Sequence, residues 1–318
     1  MKILQQITIA TNLREGTEGV RKILASVAQN ENISLKDLAN TVHIPLPVVA
    51  AVRRELERRC ILARDKGISL TLEGLKLVND LGIQDSVRSE QHLISILRAI
   101  KSKMPEANVA MDQAFSSSET SLRRAIYASQ HDAIWGRNVI IIGDDDLTSI
   151  AIGLNATKGR EPNRLVVVDI DPRVIDFINS AAEEYSLDIE CYLHDLRLPL
   201  PPKLKCNFST FFTDPPYTLP GLELFLARAS ETLEEGSGKQ GYLSFGNKDP
   251  DNDHGVFNII NRYGFVPKEI IENFNTYDGG TIIGNVSRMI RVVSGTQRTN
   301  LPQRFNRPIY TGDINISK

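Results

Sequence analysis

Cysteine is scarce in this chain. Cys60, Cys191 and Cys206 are the only three in 318 residues, and no two stand at Cys-x-x-Cys spacing. That count excludes a disulfide framework and a cysteine-rich zinc site, and it fits a reducing compartment. The histidines (His43, His92, His131, His194 and His254) form neither HxxxH nor HExxH, so no metal is expected. No apolar run is long enough to span a bilayer, and the opening MKILQQITIATNLREG lacks the apolar core of a signal peptide. Charge of one sign is also missing. The formal net charge of -2 lacks the basic excess usual in a dedicated nucleic-acid binder. There are no repeats or low-complexity tracts. The expectation is a cytoplasmic protein with neither membrane nor nucleic acid as partner. With 318 residues, 41% of them hydrophobic, it exceeds one typical core and predicts two domains.

Periodicity divides the chain into four parts. Residues 1–90 carry amphipathic helices on Val20, Ile23, Leu24 and Val27, then on Leu35–Ala39 after the N-cap Ser34, then on Val48, Val49, Val52 and Leu56. Ile61–Ala63 and Ile68–Thr71, joined at Asp65-Lys66-Gly67, read as a two-stranded wing, and a closing helix follows. This is the winged helix-turn-helix pattern. Its third helix holds Arg53, Arg54, Arg58 and Arg59, but Glu55 and Glu57 lie among them and would oppose a phosphate backbone. A solvated helix of a docking or dimerisation module is the preferred reading. Residues 91–135 read as a helical connector. Residues 136–295 alternate strands (138–142, 164–168, 189–193, 208–212, 241–245) with helices, which predicts a parallel, doubly wound sheet. Residues 296–318 are polar, broken by Pro302 and Pro308, and read as an extended tail.

In such a sheet, ligands bind beyond the carboxyl ends of the strands. Acidic residues stand at four of those ends: Gly143-Asp144-Asp145-Asp146, Asp169-Ile170-Asp171, His194-Asp195 and Asp214-Pro215-Pro216-Tyr217. A phosphate site would offer glycine N–H groups at the first of them. Three aspartates there would repel a pyrophosphate and attract a cation such as a sulfonium, an ammonium or a polyamine. One aspartate could simply cap the helix, but three exceed what capping needs. Asp169 is assigned to ribose hydroxyls and Asp171 to capping. Asp195 is divided between an adenine amino group and an ion pair with Arg197. The two prolines after Asp214 lock its backbone at the crevice. Amino-group methyltransferases use a similar DPPY loop to grip a nitrogen nucleophile. Glu272 and Tyr277, after the apolar strand Glu269-Ile270-Ile271, are expected to complete an acceptor-amine site with Asp214, Pro215 and Tyr217; the alternative is that Phe274 and Tyr277 are core aromatics.

With GDDDLTSIAIGL, VVVDIDPRVIDFI, HDLRLPLP, FFTDPPYT and GFVPKEIIENFNTY together, the whole chain resembles the branched-chain polyamine synthases, or N4-bis(aminopropyl)spermidine synthases. The resemblance implies an α/β, Rossmann-like fold of the S-adenosylmethionine type behind an N-terminal winged-helix-like domain. It implies aminopropyl transfer from decarboxylated S-adenosylmethionine, a co-substrate, to the secondary amine of spermidine or a related polyamine, with 5'-methylthioadenosine as by-product and no prosthetic group. It implies that Asp144, Asp145 or Asp146 is the key catalytic residue, with Asp214 beside it and Gly143, Asp169 and Asp195 around the adenosyl group. Tyr217 departs from the family's pattern, which has an acidic residue there. A homodimer is the expected assembly. The competing readings are an S-adenosylmethionine-dependent N-methyltransferase and a polyamine-sensing DNA-binding regulator.

Overall fold

The computed structural model describes residues 2–83, 90–157, 159–246, 249–278, 285–296, 299 and 304–316. The chain begins with helices α1 (Lys2–Thr11), α2 (Gly16–Gln29), α3 (Leu35–Val42) and α4 (Leu46–Arg58). A hairpin of β1 (Leu62–Arg64) and β2 (Ile68–Leu70) follows, then α5 (Leu72–Asp80). Ser34 caps α3 by accepting from the Asp37 N–H, as its position before an apolar-periodic run implies. Val20, Ile23, Leu24, Leu38, Val49 and Leu56 are all buried in one cluster. On α4, Arg58 and Arg59 both donate to Glu55, and Arg53 is buried beside Glu57. Three of its four arginines are therefore engaged on their own helix.

Helices α6 (Glu90–Lys101) and α7 (Ser118–Gln130) come next. They are more than a connector. Leu93, Leu97, Ile100, Leu122 and Ala125 are buried in the same cluster as the sheet residues Val139, Ile141 and Val167.

The remainder is β3 (Asn138–Ile142), α8 (Thr148–Asn155), β4 (Arg164–Asp169), α9 (Pro172–Tyr185), β5 (Glu190–Leu193), β6 (Thr210–Thr213), α10 (Leu219–Thr232), β7 (Gln240–Phe245), α11 (Pro250–Arg262), β8 (Phe265–Thr276), β9 (Val286–Ser294) and α12 (Thr311–Ile316). The seven-stranded sheet has the order β5-β4-β3-β6-β7-β9-β8. Its first five strands are parallel, as the alternation of strands and helices predicts, while β9 runs antiparallel to both of its neighbours, β7 and β8. Alternate residues of β3 feed opposite layers: Val139 and Ile141 pack toward α6–α9, and Ile140 and Ile142 toward α10 and α11. The order reverses between β4-β3 and β6, which places the crevice at the carboxyl ends of β3, β4 and β6.

The tail requires a correction. Residues 304–316 are not a loose extension, because Phe305 and Ile309 are buried in the sheet's second core layer and α12 is helical. Thr218 Oγ1 donates to the Ile309 carbonyl at 2.6 Å, and the Thr311 N–H donates to Asp112. Two apolar side chains thus anchor a segment whose average composition is polar. Residues 297–298, 300–303 and 317–318 of the tail lie outside the described residues. No helix among the described residues is long and apolar enough to cross a membrane.

Candidate active site

The switch point opens into a cavity of about 360 Å³. Its wall includes Asp112, Asp145, Asp146, Asp169, Asp195 and Asp214, and no lysine, arginine or histidine among the described residues. The other wall residues are mainly apolar or aromatic, among them Val168, Pro215, Pro216, Tyr217, Phe225, Tyr277 and Tyr310. Despite this many carboxylates, no group of three among the described residues is arranged to hold a metal ion.

The three consecutive aspartates do three different things. Gly143 turns the chain out of β3 at φ +75, and a Cβ there would meet the Phe225 ring at 3.2 Å. Leu147, fully buried, then adopts a left-handed φ of +55. This unusual backbone turns Asp144 inward, where its carboxylate accepts from the Thr148 and Ser149 N–H groups at 2.7 and 3.1 Å. Asp144 is therefore the cap of α8. Burial pushes its carboxyl up to about 7, against the pull of those hydrogen bonds. Asp146 points the other way. It accepts from the Ser116 N–H and from Arg124 Nη1, both at 2.5 Å. Burial opposes its ionisation, but Arg124 and Lys101 outweigh burial and hold it below the usual range.

Asp145 faces the cavity between them. It lines the wall, and no described residue donates a hydrogen bond to its carboxylate. Burial, followed by the fields of Asp146, Asp169, Asp214 and Asp144, pushes its carboxyl well above the usual range.

The other strand ends close the cavity. Asp169 is buried. Its Oδ2 accepts from the Asp144 N–H at 3.0 Å and its Oδ1 from the Asp171 N–H at 2.8 Å. Asp171 caps α9. Asp195 pairs with Arg197, the second of its two readings, and also lines the wall. Beyond β6, Asp214 Oδ2 accepts from Arg124 Nη2 and from the Tyr277 hydroxyl, each at 2.7 Å. The Tyr217 hydroxyl lies 2.7 Å from that of Tyr277. Burial raises the Asp214 carboxyl, Arg124 lowers it and Asp146 raises it, leaving it at about 6.

Asp145, Asp146, Asp214, Gly143, Asp169, Asp195, Pro215, Tyr217 and Tyr277 are thus brought to one cavity. Glu272 is not. It is exposed, because it continues the outward face of β8 set by Val266, Lys268 and Ile270; the register shift between Ile271 and Asn275 then breaks the alternation and buries both Phe274 and Asn275. Arg124, on α7, and the wall residues Tyr310 and Thr311 were not singled out from the sequence. Their sequence signal is weak: an Arg on a helix whose buried face also holds Ser118, Thr120 and Ser121, and an aromatic in a polar tail.

Comparison with known proteins gives this geometry its context. Residues 92–306 match the family model described as the branched-chain polyamine synthase A C-terminal domain. The chain belongs to the branched-chain polyamine synthase family. An uncharacterised protein of Methanocaldococcus jannaschii is 34% identical, the match covering 98% of this chain and 82% of that one. The N(4)-bis(aminopropyl)spermidine synthase of the same organism is 30% identical, over 87% and 82%. The crystal structure of the branched-chain polyamine synthase from Thermus thermophilus, in complex with N4-aminopropylspermidine and 5'-methylthioadenosine, superposes with a TM-score of 0.62 at 26% identity, over 97% of each chain. That superposition spans the N-terminal helices as well as the seven-stranded sheet of this chain. M. jannaschii thus holds two proteins similar to this chain, one of them a named synthase.

Proposed function

We propose that this chain transfers aminopropyl groups from decarboxylated S-adenosylmethionine to the secondary amine of spermidine or a related polyamine. The observation that carries the reading is the cavity wall, with its six aspartates and no basic residue among those described. Buried carboxylates in excess are costly unless a cation joins them. The donor brings a sulfonium and an ammonium, and the acceptor brings further ammonium groups. Ordinary S-adenosylmethionine would set its carboxylate against these aspartates, so the same wall selects against it.

In this reading Gly143, Asp169 and Asp195 surround the adenosyl group, with Asp169 on the ribose. Asp214, fixed by Pro215 and Pro216, holds the acceptor amine together with Tyr217 and Tyr277. The rings of the two tyrosines add cation–π attraction of roughly 0.5–2 kcal/mol. Asp145 is the catalytic carboxylate. Its raised affinity for protons makes it a competent base, and it is free to take the proton from the acceptor amine. The nitrogen lone pair then attacks the aminopropyl carbon attached to sulfur. The C–N bond forms as the C–S bond breaks, and the sulfur leaves as the neutral thioether of 5'-methylthioadenosine. Alignment of the two substrates supplies much of the acceleration, about 7–11 kcal/mol by effective-molarity arguments. No resident cofactor or metal enters this scheme.

The reading extends to a homodimer in the cytoplasm, with the winged-helix-like unit of residues 1–90 serving as a docking or dimerisation module ahead of the catalytic domain. Mass spectrometry after incubation with spermidine and each sulfonium donor tests the central claim. Spermidine should gain aminopropyl from the decarboxylated donor. A gain of methyl from S-adenosylmethionine would establish the methyltransferase alternative, and no product from either donor would refute transfer.

A further inference from the structure

Arg124 is buried, at 4% exposure, and every nitrogen of its guanidinium is engaged. Nε donates to Asn275 Oδ1 at 2.8 Å, Nη1 to Asp146 Oδ2 at 2.5 Å, and Nη2 to Asp214 Oδ2 at 2.7 Å and the Tyr277 hydroxyl at 3.2 Å. It does not line the cavity. One planar cation therefore bridges two carboxylates from different strand ends, Asp146 after β3 and Asp214 after β6. A buried carboxylate is tolerated where a cation and hydrogen bonds compensate its desolvation. Here a single base serves two acids and leaves the neighbouring Asp145 with no hydrogen bond from a described residue.

The groups facing this cluster are Asp144, Asp145, Asp146, Asp169 and Asp214, the phenols of Tyr217 and Tyr277, and Lys101. Lys101 cannot replace Arg124, because its Nζ donates to the Ser116 backbone carbonyl rather than to a carboxylate. Carboxylates packed together without a cation share protons, and their titrations merge. A guanidinium fork has the shape to prevent this while fixing the spacing of both acids.

We propose that Arg124 is the positioning residue of the site: it fixes Asp146 and Asp214 as carboxylates on either side of Asp145, so that Asp145 alone exchanges a proton with the acceptor amine. The inference deepens the aminopropyl-transfer reading, but its test does not depend on turnover. Spermidine binding is measured by calorimetry near neutral pH in buffers of different ionisation enthalpy, which counts the protons released. Arg124→Met should release more protons than wild type, by about half a proton or more, because Asp146 and Asp214 now hold protons until the polyamine displaces them. Arg124→Lys keeps the charge, loses the fork and should fall between the two. Where turnover is measurable, the acid limb of the pH–rate profile of Arg124→Met should move up by about one unit. A merely structural role would lower the rate equally at all pH values and leave the proton count unchanged, and that result would overturn the proposal. If Arg124→Met does not fold, Arg124→Lys decides by the same count: an unchanged value in a folded variant refutes the inference. Failure of wild type to transfer an aminopropyl group would refute the broader reading and leave the proton count to judge Arg124 by itself.

Discussion

Two regions of this molecule bury charge, and they do so in opposite ways. Where the N-terminal unit meets the catalytic domain, Arg21 donates to Asp132 at 2.6 Å, Arg137 pairs with Asp132 and Glu18, and Lys239 pairs with Glu234. Three cations face three anions, and Arg21 also satisfies the Leu81 and Trp135 carbonyls. At the carboxyl edge of the sheet, Asp144, Asp145, Asp146, Asp169 and Asp214 face two cations among the described residues, Arg124 and Lys101. The first network is complete by itself. The second is short of positive charge in a cavity of ligand size. Balanced burial holds two parts of a chain together, whereas unbalanced burial is tolerated where a substrate supplies the missing charge.

The strongest way to break this contrast is to remove an unbalanced charge. Asp145→Asn keeps the shape of the wall and deletes a carboxylate that no described residue pairs with. Turnover should fall by about 10²–10⁴-fold, the usual worth of a positioned base. Stability should rise by about 0.5–2 kcal/mol, as at other strained functional sites. The sign follows from the carboxyl being raised in the folded state. Between the unfolded value and the higher folded one, the unfolded chain has lost its proton and the folded chain has kept it. Raising the pH through that window therefore destabilises the wild type, and the variant should lack this loss. Thermal melts of both proteins across that window, read beside a turnover assay, check the claim. A variant that is inactive and also less stable would mean that Asp145 is structural. Asp144→Ala should behave in the opposite way, losing about 1 kcal/mol of helix cap before it loses chemistry.

Breaking the balanced network should cost stability and little else. Arg21→Met strands Asp132 in a buried site beside Arg137 alone, for a loss of about 3–5 kcal/mol. Denaturant unfolding should show the midpoint shifting down, with KM for spermidine unchanged in the folded fraction. A selective loss of spermidine affinity would mean that the interface communicates with the site.

The contrast also explains what the sequence could and could not say. The four acidic strand ends were legible because strand period and fold fix where residues such as Asp169 and Asp214 must lie. The division of labour within Asp144-Asp145-Asp146 was not legible, because it depends on the left-handed turn at Leu147, a residue whose type gives no hint of it. Arg124 was invisible for a different reason. It lies 90 residues from Asp214 along the chain, on a helix that reads as a connector, and only tertiary packing brings the two within 2.7 Å. Glu272 misled because its position relative to an apolar strand is right for a site, while the alternation along β8 places it on the exposed face with Val266, Lys268 and Ile270.

The smallest expected effect concerns Asp169. Both of its oxygens already accept backbone N–H groups, from Asp144 and Asp171. Asp169→Asn would aim an amide at one of those donors, so a lower melting temperature and weaker binding of 5'-methylthioadenosine would both follow even without a ribose contact. The ribose assignment needs a second coordinate. Calorimetry with 5'-methylthioadenosine and with its analogue lacking the ribose hydroxyls, on wild type and on Asp169→Asn, forms a double-mutant cycle that removes the shared structural damage. Wild type should prefer the hydroxylated ligand by roughly tenfold, the worth of a hydrogen bond to a carboxylate. The variant should lose most of that preference while binding both ligands more weakly. If the preference survives intact, Asp169 only braces the Asp144 and Asp171 backbone, and the ribose contact belongs to another group on the cavity wall.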